Sequence, residues 1–190
     1  AQAAVEAFVA NVGLLADADR VQVMDNYWYA MESAYPEYYK QQNKVKAIYA
    51  TADGLAWKDA PAEYNGETAE FVFQFQQYDG ENDPDGYGNI PEADVNNVFK
   101  IYSDVIYEAT GYGYAGTGGG TTQVAMTDDF GAAIYVVKPL EANIYTIYAI
   151  GSNPLHTAGH GNGAGGQGSI VNWEGGAGTA SSWKLRFVDD

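Results

Sequence analysis

Two imidazoles, His156 and His160, are the only ones in the chain, and both sit in the glycine-rich run HTAGHGNGAGGQG at 156–168. Their i, i+4 spacing would stack them on one face of a helix, as in a metal-binding pair. Gly159, Gly161 and Gly163 argue against a helix there, and a metal site wants three or four ligands. A phosphate-cradling loop would need a preceding strand, a following helix and a terminal lysine with Ser or Thr; the run has no lysine. What the composition does allow is backbone close to a ligand, with polar groups of several kinds around it. His156, His160, Asn162, Asn172 and Glu174 could supply imidazole, amide and carboxylate to sugar hydroxyls. The competing reading is a solvated loop. A second, similar group is Tyr107, Glu108, Tyr112 and Asp128.

The other stretch with chemical spacing is acidic. In DGENDPDGYGNIPEAD (79–94), Glu81, Asp83 and Asp85 stand at positions 1, 3 and 5 of a loop with Glu92 at the twelfth. This is close to an EF-hand calcium loop, with Gly86 at the turn position, and would hold Ca2+ through oxygen ligands. Position one is Glu rather than Asp, and position eight is Gly rather than apolar. Strands are expected on both sides where that motif has helices. A solvated acidic loop is the alternative. No other motif requires a cofactor.

Nothing in the sequence assembles a catalytic centre. A glycosidase needs two carboxylates facing across a cleft, and strand alternation makes no obvious pair. No nucleophile-elbow signature is present. The absence of cysteine removes thiol nucleophiles, disulfides and zinc–thiolate sites. The reading is therefore a non-enzyme. A formal charge of −16 argues against nucleic acid and anionic membrane as partners, and no apolar run is long enough to insert in a bilayer. With 46% hydrophobic and 18% charged residues the chain is expected to fold. It opens at Ala1 without a signal pattern, as a processed protein or a piece of a longer one would.

The elements that must position these groups repeat. Val5, Phe8, Val9, Val12 and Leu15 have helical spacing, which predicts an amphipathic helix over 2–16. From about residue 24 onward, short alternating segments are separated by Gly, Asn, Asp and Pro. Four of them recur in one order, three times. The first set is 26–33, 97–103 and 143–149, with Trp28, Phe99 and Tyr145 on one face together with Ala30, Ile101 and Ile147. The second is 47–51, 105–109 and 154–158. The third is 55–58, 124–127 and 171–174, and the fourth is 70–75, 134–139 and 182–187. The glycine-rich run is thus a hairpin loop of the third repeat, matched by Thr110–Gln123 in the second and by a tight Ala52–Gly54 turn, expected as type I′, in the first. Phe71, Tyr135 and Trp183 are equivalent, as are Phe73, Val137 and Leu185, and such sets are expected in the core. Trp57, Met126 and Trp173 share the parity of core positions and are expected inside.

Three four-stranded repeats, 12 strands in all, predict an all-β fold of β-trefoil type, six strands closing a barrel and six forming hairpins. The expected organisation is an N-terminal helix and linker at 1–23 and a trefoil at 24–190. Its repeats cover about 24–77, 97–141 and 142–190, with an insertion at 78–96.

The arrangement resembles the ricin-type lectins, in whose Gln-x-Trp motif the aromatic corresponds to Trp183, Tyr135 and Phe71 here. Ser181, Ala133 and Ala69 stand in place of the glutamine. The runs LHTAGHGNG and ASSWKL are similar to accessory trefoil domains of large secreted Bacteroidetes proteins. This resemblance implies a secreted, periplasmic or cell-surface setting and a glycan or polysaccharide partner. A structural or protein-interaction module, docked on neighbouring domains of a longer chain through the helix, is the alternative.

Overall fold

A computed structural model describes residues 23–39, 44–78, 97–160, 166–174 and 180–188. The expected helix at 2–16, the acidic loop with Glu81, Asp83, Asp85 and Glu92, and Asn162 lie outside the described residues.

The fold is all-β, with twelve strands among the described residues. They are β1 (Tyr27–Ser33), β2 (Lys46–Thr51), β3 (Gly54–Asp59), β4 (Phe73–Gln77), β5 (Val98–Tyr102), β6 (Tyr114–Ala115), β7 (Met126–Thr127), β8 (Tyr135–Glu141), β9 (Ile144–Ala149), β10 (Leu155–Thr157), β11 (Gln167–Asn172) and β12 (Ser182–Phe187). Six of them close a barrel. β1 pairs with β4, β4 with β5, β5 with β8, β8 with β9, β9 with β12, and β12 returns to β1, every pair antiparallel. The other six make the hairpins β2–β3, β6–β7 and β10–β11. Each third of the chain gives the barrel its first and last strands and sends the middle two out as a hairpin. Closure leaves the barrel strands no open edge.

The barrel is filled from all six strands, by Tyr29, Phe73, Phe99, Tyr135, Tyr145 and Trp183 among others, each at most 4% exposed. The equivalent sets Tyr135/Trp183 and Phe73/Val137/Leu185 are in this core, as expected. Polar tips inside it find backbone partners. Tyr135 Oη donates to Gly116 O (2.7 Å), Trp183 Nε1 to Leu155 O (3.0 Å) and Trp57 Nε1 to Ala158 O (3.1 Å). The first two bonds tie barrel strands to the outer part of the chain and the third joins two hairpins, so the hairpins are fixed by more than their own ladders.

Four expectations need correction. In β1 the inward residues are Tyr29 and Met31, while Trp28 is only half-buried. Aligning the repeats on their asparagines is off by one residue in this strand, and a one-residue slip inverts its faces. The segment 105–109 is not a strand but helix α1 (Asp104–Thr110). Asp104 in the first turn suits the positive end of the helix dipole, and Gly111 ends the helix at φ 79 with its N–H on Tyr107 O (2.7 Å). The β2–β3 turn is not type I′, because Asp53 does not take positive φ. Thr51 Oγ1 closes it instead, accepting from the N–H groups of Asp53 and Gly54 (both 3.2 Å). Finally, β4 begins at Phe73, since Gly66–Phe71 form a 3-10 helix capped by Asn65, and Phe71 is buried at its end rather than in a strand.

Candidate functional site

Hairpin β10–β11 carries the two imidazoles and is strapped down on three sides. Thr157 N–H donates to Ala180 O (3.0 Å), Trp183 holds Leu155, and Tyr39 Oη meets Thr157 Oγ1 (3.2 Å). His156 points away from Leu155, as alternation requires, yet it is 4% exposed because other groups cover it. Its Nδ1 lies 2.8 Å from Ser181 Oγ. The Trp173 ring packs edge-on against it at 4.7 Å, and the His160 ring at 5.6 Å. Burial first, and repulsion from His160 second, bring the His156 pKa down to about 4, so the ring is neutral at physiological pH. A neutral imidazole beside a serine hydroxyl is the start of a nucleophile–base pair. Here Ser181 is itself buried, and among the described residues no carboxylate bonds to the imidazole.

His160 is half-buried, its Nδ1 3.2 Å from Thr157 O and its ring against Tyr39. Asn172 is buried and fully engaged. Its Oδ1 accepts from Gly118 N–H (2.7 Å) and its Nδ2 donates to Asn153 O (3.1 Å), which joins the loop of the second repeat to the third. Glu174 is exposed. The structure thus gathers His156 and His160 around one point, uses Asn172 as a strut, and leaves Glu174 open to solvent.

Sequence parity hides the residue at that point. Trp173 is expected inside with Val171, but β11 stops at Asn172, and Trp173 is 47% exposed. Its backbone is held at both ends, N–H to Pro154 O (3.0 Å) and carbonyl from Ser181 Oγ (3.5 Å). Gly120 of the second repeat lies against the pyrrole part of the indole, nearest Cδ1. The result is an aromatic side chain half open to solvent and held by its neighbours. The glycines that begin at Gly175 could have signalled that the strand was ending.

The second expected group does not converge. Tyr107 and Glu108 are exposed on α1, and Tyr112 is exposed just after it. Asp128 closes its own turn by accepting from Gly131 N–H (2.8 Å). Tyr107 packs against Tyr102 (5.8 Å), whose ring also meets Tyr114 (5.1 Å) and Trp28 (6.4 Å).

No family model matches the chain, and no curated protein is significantly similar to it. Among the described residues no group of three or more His, Asp or Glu is placed to hold a metal ion. No helix among them is long and apolar enough to cross a membrane.

Proposed function

We propose that this chain is a non-catalytic, lectin-like module with a β-trefoil fold, set in a secreted, periplasmic or cell-surface protein, that binds a glycan or polysaccharide at Trp173. The fold reading is supported by the closed six-stranded barrel with one hairpin from each third of the chain. The site reading is carried by one observation, the half-exposed indole of Trp173 locked against His156. A flat, rigid ring offers the C–H face of a sugar a stacking surface at little cost in side-chain entropy. The exposed Glu174 carboxylate and the half-buried His160 imidazole are polar groups that offer contacts to hydroxyls.

A second reading, a structural or protein-interaction module, is favoured by Phe130, which is 90% exposed at the tip of the turn after β7.

Glycan arrays with soluble and insoluble polysaccharides, read on the native chain and on Trp173→Ala, test the proposal. Loss of about tenfold or more in affinity, with an unchanged melting curve, is expected for a central aromatic contact. Binding that survives in Trp173→Ala moves the site elsewhere. No binding to any glycan favours the interaction module, and Phe130 becomes the first residue to substitute in a partner search.

A further inference from the structure

A groove of about 630 Å³ opens between α1 and the Gly66–Phe71 helix, away from the Trp173 hairpin. Trp28, Tyr64 and Asn65 line it together with Asp104, Val105 and Glu108 of α1. We propose that this groove binds a small organic ammonium ion, with the charge between Asp104 and Glu108 and the apolar body on Trp28.

Asp104 and Glu108 are one helical turn apart on a seven-residue helix, and both line the groove. Like charges at i, i+4 repel. Asp104 is compensated by the helix N-terminus, but Glu108 stands toward the C-terminal end, where the dipole is unfavourable. Helix stability therefore does not account for Glu108. Tyr102 Oη donates to Asp104 Oδ1 (2.8 Å) and fixes that carboxylate in place. Among the described residues neither acid enters an ion pair.

The rest of the fold shows what such a corner accepts. Lys58 Nζ sits 4.1 Å from the Tyr49 ring centroid and 3.8 Å from Glu70 Oε1. Arg186 lies 5.9 Å from the Tyr64 ring and gives its Nε to Glu32 Oε1 at 3.1 Å. Both corners combine an aromatic face, a carboxylate and one of the chain's own cations. The groove has an aromatic ring, the better-suited indole of Trp28, and two carboxylates, while none of its lining residues is basic. A net charge of −16 draws cations toward it. The volume suits a small molecule rather than the broad face that a protein partner needs.

Titration of the 15N-labelled full chain with benzyltrimethylammonium, against benzyl alcohol as the uncharged comparison, tests the assignment. Saturable amide shifts at 64–66 and 104–108 with the cation, and far weaker ones with the alcohol, are expected. The exposed, isosteric pair Asp104→Asn/Glu108→Gln should weaken the cation about tenfold, and added salt should weaken it in the native chain. Equal binding of the alcohol, an unchanged affinity in the double variant, shifts confined to Trp173 and its neighbours, or no saturable shift at millimolar cation would each overturn the proposal. Because the Trp173 proposal is read by glycans and Trp173→Ala, the two can fail separately.

Discussion

At the scale of single residues, His156 shows how strongly cover changes a side chain that alternation alone would leave in water. Its partner Ser181 stands two residues before Trp183, in the segment that straps β10, so the imidazole is buried by the same contact that secures the hairpin. In the unfolded chain the group titrates near 6.5, whereas in the fold it titrates near 4. Between those values the unfolded chain takes up a proton that the folded chain refuses. The stability due to the neutral ring is therefore complete above about pH 6.5 and is lost as pH falls toward 4, a difference of about 3 kcal/mol. Asp59, whose carboxyl is held below its usual range first by the hydrogen bond from Lys46, loses its contribution only below about pH 3.8, outside that window. Urea midpoints of the native chain and His156→Gln, measured at pH 7 and pH 4.5, should show the gap between the two proteins narrowing in acid. A constant gap would mean that His156 is protonated in the fold. Trp173 is the opposite case. Its exposure depends on where a strand ends, and periodicity says least at strand ends.

At the scale of elements, most strands are legible because their alternation faces a filled barrel. β12 falls at 182–187 as the pattern predicts, and β1, β2 and β9 agree to within a residue. Pattern and structure part where repeat equivalence competes with local signals. Ser103, Asp104 and Gly111 mark the two ends of a helix, yet equivalence with the other repeats reads the same residues as a strand. The β2–β3 turn is misread differently. Its Asp-Gly pair suggests one turn type, but the glycine is needed a step later, as the first residue of β3. Gly54 has φ 146, and a β-carbon there would fall 2.2 Å from Val124 O, the carbonyl that accepts from Leu55 N–H. Gly54→Ala therefore strains the backbone and pushes the first hairpin off the second repeat. A loss of about 1–3 kcal/mol is expected in chemical denaturation, with Gly66→Ala, which meets nothing within 4 Å, close to neutral as the control. Equal effects of the two would show that the contact at Val124 is not constraining.

At the scale of the whole molecule, the barrel is one object only because its last strand meets its first. β12 pairs with β1 from Tyr29↔Phe187 to Ser33↔Trp183 on one edge and with β9 on the other. That closure follows from counting repeats, since three pairs of barrel strands leave two edges that only each other can satisfy. The surfaces proposed for binding do not follow from it. They arise where the repeats differ, at α1 in place of a strand and at the end of β11, and a repeat pattern is blind to its own exceptions. The same closure makes stability indivisible. Trp183 and Leu185 leave the core together if β12 is removed, and two unpaired edges open at once. A chain ending at Ser181 should therefore lose its cooperative melting transition in calorimetry and its near-ultraviolet circular dichroism. Trp183→Ala, which keeps the ladder, should retain one transition with a loss of about 3–5 kcal/mol. A sharp transition in the truncated chain would mean that the first two repeats hold a core of their own, and the barrel would then be a late addition to a stable half rather than the condition for folding.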